Sequence, residues 1–382
     1  MKVYLDNAAT TPVDKEVFEA MKPYFSEKYG NASSLHSLGR QAREVLEQSR
    51  DTIKKKLNAK NHNLIFTSSG TESNNLAIKG IALANKDNNK NNFVSSRIEH
   101  GCVLHSLRWL KTQGYKTTWL HVNKEGFISL QDLNESITKN TLLVSIVHGN
   151  NEIGTLQDIK EIGKICHDKN VLFHTDACQS FTKTPINLQK QNIDLLTINS
   201  HKIYGPKGVG ALLIRDGIEL EPLLSGGGHE FGLRSSTENI PGIVGFAKAI
   251  ESIKEQDIEK MRLLRDMLIK GALEIKETWL NGTENNNRRL CNIANISFKK
   301  VEGESIILHL DNKGIQASTG SACASKSLHP SHVLGAIGLK PEDSHGSVRF
   351  SLGKYNTKEE IEYTISNLKE IIEKLRKISP FK

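Results

Sequence analysis

Short apolar runs bounded by polar or turn-forming residues recur along the first two thirds of the chain: Leu64–Thr67, Phe93–Ser95, Thr117–Val122, Leu142–Val147, Val171–Thr175, Leu195–Ile198 and Gly210–Ile214. Runs of this length with apolar residues at successive positions read as strands buried on both faces. Between most of them the apolar positions change to helical spacing, as in Ile159–Lys169. Alternation of the two patterns predicts an α/β domain with a mainly parallel sheet.

The two ends of the chain read differently. After Thr11-Pro12, residues Val17, Phe18, Met21, Tyr24 and Phe25 recur at helical spacing until Gly30-Asn31 and Ser33-Ser34 interrupt them, so the start is a strap, a helix and a loop. Beyond Ser225-Gly226-Gly227-Gly228 the spacing predicts a long helical segment around Ile250–Leu280, an Asn-rich loop at Asn281–Asn287, and then further strands and helices. The stripe Ile361, Ile365, Leu368, Ile372 and Leu375 belongs to a final helix packed on a core. The change of rhythm sets a domain boundary near residue 255: a large domain of residues 15–255, and a small domain made of 1–14 and 256–382.

Composition narrows the class. A chain of 382 residues, 37% hydrophobic and 25% charged, can bury a large core and is long enough for two domains. The formal charge of +8 is spread among glutamates with no basic block interleaved with aromatics, which argues against nucleic-acid binding as the primary role. There is no signal-peptide pattern and no apolar run near the length of a membrane span, so the expected location is the cytoplasm with no membrane attachment. Five cysteines, Cys102, Cys166, Cys178, Cys291 and Cys323, are an odd number without a C-x-x-C pair, which fits thiols better than a disulfide framework or a zinc ribbon.

Candidate chemistry clusters just beyond the expected strands. Lys202 follows Leu195–Ile198 and precedes the turn Gly205-Pro206-Lys207-Gly208, while Asp176 ends the run from Val171. A lysine and a carboxylate at neighbouring strand ends suit pyridoxal phosphate, the amine holding the aldehyde and the acid facing the ring nitrogen; a structural ion pair is the plain alternative. Ser68-Ser69-Gly70-Thr71-Glu72 links a strand to a helix, either as a phosphate cradle or as an ordinary N-cap. Ser200 and His201 adjoin the lysine and can add phosphate donors. His100, after Phe93–Ser95, can stack on a planar cofactor and carry protons, while Asn151 and Gln179 sit where they can reach the cofactor or substrate. The run Gln316-Ala317-Ser318-Thr319-Gly320-Ser321-Ala322-Cys323-Ala324-Ser325-Lys326 surrounds one thiol with small polar residues, the setting of a nucleophile. Arg349, in the strand-like Gly346–Gly353, can clamp an amino acid's carboxylate or make a surface ion pair.

In register, the chain resembles the cysteine desulfurases that supply sulfur for iron–sulfur cluster assembly, over essentially its whole length. The matching segments are Tyr4-Leu5-Asp6-Asn7-Ala8-Ala9-Thr10-Thr11-Pro12, Gly30-Asn31-Ala32-Ser33-Ser34-Leu35-His36, Thr71-Glu72-Ser73-Asn74-Asn75, Asn150-Asn151-Glu152-Ile153-Gly154, His201-Lys202-Ile203-Tyr204-Gly205-Pro206-Lys207-Gly208, Leu233-Arg234-Ser235-Ser236-Thr237-Glu238-Asn239 and Ser321-Ala322-Cys323.

The resemblance implies a fold-type I pyridoxal phosphate transferase: a large domain with a mainly parallel seven-stranded sheet and a smaller α+β domain. It implies that Lys202 carries the cofactor, Asp176 pairs with the ring nitrogen, Gln179 reaches the phenolic oxygen and His100 stacks on the ring. Gly70, Thr71, Ser200 and His201 hold the phosphate, and Thr237 completes that site from the partner of a homodimer. Asn7, Asn151 and Arg349 bind L-cysteine. Cys323 takes the substrate's sulfur as a persulfide on a long loop and hands it to an iron–sulfur scaffold protein or another acceptor. No resident metal is expected, Cys323 being the one candidate for a transient iron–sulfur ligand. Two departures stand out: Asn199 replaces a frequent phosphate-binding serine, and the phosphate turn reads Ser-Ser-Gly-Thr where Ser-Gly-Ala-Thr is common. Rival readings are selenocysteine lysis, another pyridoxal phosphate reaction, or a non-catalytic sulfur-relay scaffold.

Overall fold

In the computed structural model, which describes residues 1–319 and 331–379, the chain opens with a two-residue strand, β1 (Val3–Tyr4), and then builds one seven-stranded sheet. Its members are β2 (His62–Thr67), β3 (Asn92–Ser96), β4 (Lys116–Leu120), β5 (Thr141–Ser145), β6 (Leu172–Asp176), β7 (Leu195–Asn199) and β8 (Gly210–Arg215). Each of the seven apolar runs thus supplies one strand. The order is β2-β8-β7-β6-β5-β3-β4. Neighbours from β7 to β4 are parallel, and β8 runs antiparallel to both β7 and β2.

Successive side chains of a strand point to opposite faces, and the two cores follow that alternation. Phe66, Val144, Phe173, Leu196 and Leu213 join one apolar cluster with Leu46, Ile162 and Phe246, from helices Ser37–Lys56, Ile159–Asp168 and Ile240–Glu251. Ile65, Phe93, Leu143, Leu195 and Leu212 join another with Leu76, Leu107 and Leu110, from the other face. With helices on both faces, every strand but the edge strand β4 is largely buried, and the edge left for chemistry is the one where the parallel strands end.

The stretch expected as one helix over Ile250–Leu280 is two helices and a strand. Helix Ile240–Glu251 stops, Lys254 adopts extended backbone with its N–H donating to the Asp257 carboxylate at 3.0 Å, and a second helix runs over Glu255–Leu273. Glu277 then takes a left-handed conformation and the chain continues as β9 (Thr278–Asn281). The apolar pattern ran on across both breaks because all three elements face a core.

Three further strands, β10 (Ile293–Phe298), β11 (Ile315–Gln316) and β12 (Ser347–Ser351), complete the fold. An antiparallel sheet has the order β12-β10-β9, and β1 pairs in parallel with β11. Val3, Leu5, Leu268, Ile296, Val348, Phe350, Leu368 and Ile372 form a separate apolar cluster, so the N-terminal strand packs with the C-terminal part of the chain. Complete burial of such a side chain contributes roughly 1.5–3 kcal/mol.

Candidate active site

Asp176 is the last residue of β6, and Lys202 lies in the turn that follows β7, the adjacent parallel strand. The register Asp176↔Thr197 brings the carboxylate alongside the strand that delivers the lysine. Their charges converge on the same neighbours. The His100 imidazole is held below its usual pKa by burial and by Lys202, while Asp176 acts in the opposite direction. Asp176 is buried, and its carboxylate accepts Asn74 Nδ2 at 2.7 Å and the Cys178 N–H at 2.9 Å.

The turn bearing Lys202 is clamped by the N-terminal strap. The Thr11 N–H and hydroxyl both donate to the His201 carbonyl at 2.9 Å, the Tyr204 N–H donates to Thr11 Oγ1 at 2.9 Å, and the Asp14 N–H donates to the Tyr204 carbonyl at 2.9 Å. From below, the buried Lys183 ammonium donates to the carbonyls of Gln179 and Lys202 at 3.0 and 3.1 Å. Gly205 is required here because an added Cβ would stand 1.9 Å from Ser200 Oγ. Ser200 is therefore packed into the turn beside the lysine. His201 meets Thr10 Oγ1 at 3.2 Å and Asn199 Nδ2 at 3.4 Å, and burial, with Lys202, Lys207 and Lys183 nearby, pushes its pKa down to about 4.

The segment Ser68–Glu72 turns from β2 into the helix Gly70–Asn75, which continues through a π-helical stretch, Leu76–Gly80. Ser69 is its N-cap, and Ser69 Oγ accepts the Glu72 N–H at 3.1 Å. Glu72 in turn pairs with Arg234 at 2.9 Å and accepts the Ser68 N–H at 2.7 Å; against burial, these partners hold its carboxyl below the usual range. A cleft of about 260 Å³ lined by Thr10, Ser68, Ser69, His201 and Lys207 opens beside this turn. Gly70 packs so tightly that a Cβ would meet Cys178 Sγ at 2.4 Å. Thr71, in the first turn of the helix, sets its hydroxyl beside Cys102, and Thr237 is exposed on the protomer.

His100 caps the helix Gly101–Thr112. Gln179 donates through Nε2 to the Ala8 carbonyl at 2.9 Å. Arg349, on β12 and 2% exposed, donates to Asp6 Oδ1 at 2.8 Å and to the Asn151 carbonyl at 3.0 Å. Asn7 donates to the carbonyls of Ser351 and Tyr4 at 2.9 and 3.2 Å, tying the strap to the same strand.

Cys323 lies outside the described residues, but both flanks of 320–330 attach beside the site. Ser318 and Arg349 exchange backbone hydrogen bonds at 3.1 and 2.6 Å. On the other side Ser331 donates to Glu152 Oε2 at 2.5 Å, and His332 Nε2 bonds to the carbonyl of Glu99, the residue before His100, at 2.9 Å. Among the described residues no group of three or more His, Cys, Asp or Glu side chains is arranged to hold a metal.

The site has unmet polar valence of the kind a polar cofactor would satisfy. Asn74 Oδ1, Gln179 Oε1, Asn199 Oδ1 and Ser200 Oγ are buried without a hydrogen-bond partner among the described residues. Such atoms are uncommon and costly unless a ligand or water meets them. A phosphate, a phenolic oxygen and a pyridine nitrogen match the set of hydroxyl, amide and carboxylate groups, so pyridoxal phosphate fits.

Fold and site together define a pyridoxal phosphate enzyme with its chemistry at the ends of a parallel sheet. Residues 3–364 match the aminotransferase class-V family. A cysteine desulfurase IscS from Dictyoglomus turgidum is 51% identical over 100% of this chain and 97% of its own length. A solved NifS-like protein is similar with a TM-score of 0.91 and 36% identity, covering 98% of this chain and 100% of that one. A structure of SspA in complex with cysteine has a TM-score of 0.83 and 37% identity, covering 93% of this chain and all of the other. The chain belongs to the class-V aminotransferase family, among its pyridoxal phosphate-dependent cysteine desulfurases.

Three residues of the site were not singled out from the sequence for it. Asn74 holds Asp176, Cys102 touches His100 at 3.0 Å, and Thr11 clamps the lysine turn. Asn74 and Thr11 do lie inside the motifs of the resemblance, which was the one available signal.

Proposed function

We propose that this protein converts L-cysteine to L-alanine and passes the sulfur, as a persulfide on Cys323, to an acceptor for iron–sulfur cluster assembly. The observation that carries the reading is the placement of Asp176 and Lys202 at the ends of adjacent parallel strands, with His100 under the influence of both. Bound pyridoxal phosphate supplies an electron sink that makes the substrate's α-proton acidic and its carbon–sulfur bond labile.

The protein's groups do the rest. Asp176, oriented by Asn74 and the Cys178 N–H, would pair with the ring nitrogen, Gln179 and Asn151 would serve the phenolic oxygen, and Gly70, Thr71, Ser200 and His201 would hold the phosphate. Arg349 receives the substrate carboxylate as a two-pronged donor, with Asn7 and Asn151 bracketing it. The Lys202 amine takes the proton from the substrate α-carbon. The Cys323 thiolate attacks the substrate sulfur; the new S–S bond forms as the C–S bond breaks, and the carbon fragment is protonated to alanine.

Thr237 lies exposed on the strand of chain tethered by the Arg234–Glu72 pair, a placement that suits a phosphate donor reaching into a second copy of this chain; we take the working form as a homodimer. We also take residues 15–255 as the large domain and 1–14 with 256–382 as the small one, a division supported by the separate apolar cluster shared by Val3, Leu5 and the C-terminal elements. The acceptor would be an iron–sulfur scaffold protein. Cys102, Cys166, Cys178 and Cys291 are free, in keeping with work in the reducing cytoplasm, and no helix among the described residues is long and apolar enough to cross a membrane.

Borohydride treatment of the loaded enzyme followed by peptide mapping tests the reading. The expected result is a pyridoxyl mass on the peptide carrying Lys202. A label on another lysine, or none, would overturn it.

A further inference from the structure

We propose that Cys102 is a positioning residue which, with the helix cap it shares, holds His100 in the tautomer whose proton sits on Nε2. The proposal rests on the reading of His100 as part of the active site.

His100 is the N-cap of the helix Gly101–Thr112, with extended backbone (φ −61°, ψ 148°), and its Nδ1 accepts the Cys102 N–H at 3.2 Å. A nitrogen that accepts a hydrogen bond carries no proton, so the proton of the neutral ring belongs on Nε2. The Cys102 thiol reinforces this: its Sγ lies 3.0 Å from the same Nδ1. Sγ itself receives Asn74 Nδ2 at 3.2 Å, and that amide nitrogen also donates to Asp176 Oδ2 at 2.7 Å. The donors therefore run in one direction. Asn74 points its two N–H groups at Asp176 and Cys102, and the thiol is left to offer its S–H to the imidazole.

Burial, together with the nearby Asp176 charge, raises the thiol's pKa to about 12, so Cys102 stays protonated and acts as a donor. Asn74 and the Thr71 hydroxyl face the sulfur, and Lys202, Asp176 and His332 are the charged or titratable groups that bear on the imidazole. With Nδ1 engaged, His100 offers the reacting groups an N–H from Nε2. Its part is that of a neutral hydrogen-bond donor, and a base role through Nδ1 is closed off.

The test is proton-detected nitrogen NMR of histidine-labelled protein, with and without cofactor, the His100 signals being assigned by their loss in His100→Gln. At neutral pH the expected pattern is an unprotonated Nδ1 and a protonated Nε2. Cys102→Ala removes one donor to the neutral ring, so the His100 protonation constant rises about 5-fold, the worth of one ordinary hydrogen bond. Cys102→Ser, which restores a donor, returns it toward the wild-type value, and the acid limb of the kcat profile moves with the titration while KM for L-cysteine stays put. A proton on Nδ1 in the wild-type protein overturns the tautomer. An unchanged His100 titration in both variants overturns the role of Cys102. A wild-type protein with the Nε2 tautomer but no turnover of L-cysteine upholds this assignment and overturns the functional reading alone.

Discussion

Arg349 Nη2 lies 2.8 Å from Asp6 Oδ1, so the guanidinium that would clamp the substrate is already held in place by the N-terminal segment. Its other amine donates to the Asn151 carbonyl, and the side chain is buried. An arginine oriented before the substrate arrives loses little conformational freedom on binding a carboxylate. Arg349→Lys keeps the charge and loses the fork; KM for L-cysteine should rise about 10-fold or more with a smaller change in kcat. Arg349→Ala also leaves Asp6 without its partner and should lower the unfolding free energy by about 1.5–3 kcal/mol. Steady-state kinetics and urea unfolding of the two variants separate these effects.

Gly70 has no room for a side chain. A Cβ there would lie 2.4 Å from Cys178 Sγ and 3.5 Å from Asn199 Nδ2, on the turn assigned to the phosphate. Gly70→Ala should destabilise the protein by about 1–3 kcal/mol and weaken cofactor retention. Adding Cys178→Ala removes the nearer obstacle and should recover most of both. Thermal unfolding and the cofactor absorbance after dialysis read the two outcomes.

Asp176 accepts from Asn74 and from the Cys178 N–H. Removing the carboxylate in Asp176→Ala should cut kcat by about 10²–10⁴-fold, the range of a lost acid–base group. Asn74→Ala leaves the carboxylate present but less well held and should cost roughly 10-fold. Equal losses in the two variants would show that Asn74 does more than orient Asp176.

The strands and the residues at their ends were legible because both are local signals: an apolar run bounded by turns, and a reactive side chain one or two positions past it. Lys202 and Asp176 could be placed this way, and the register of β6 and β7 then brings them to one edge. The contacts that hold them were not legible. Thr11 reaches His201, and Asn74 reaches Asp176, across stretches of chain that no periodicity connects. Cys102 read as an ordinary thiol for the same reason. The breaks at Lys254 and Glu277 were hidden because apolar residues persist through them, while the breaks themselves are carried by a capping carboxylate and a left-handed residue.

Glu99, next to His100, is buried and its pKa is raised to about 8, chiefly by desolvation; Oε1 accepts the Val147 N–H at 3.0 Å, and Oε2 has no partner among the described residues. The folded state therefore binds a proton that the unfolded chain has released above its ordinary carboxylate range. The stability Glu99 contributes is complete below about pH 4.5 and is lost as pH rises through about 8. Glu99→Gln should flatten that decline. Urea unfolding of both proteins at a series of pH values between those limits provides the comparison, and parallel curves would assign the pH dependence elsewhere.

Persulfide chemistry at Cys323 is tested by the absorption spectrum of the purified protein before and after L-cysteine, with alanine and released sulfur measured in the same sample, for the wild type and for Cys323→Ala. A near-ultraviolet to visible band is expected in both proteins, perturbed by L-cysteine in both, with alanine and sulfur formed catalytically by the wild type alone. A Cys323→Ala protein that makes alanine at the wild-type rate, or a wild type with neither band nor alanine, would contradict that chemistry.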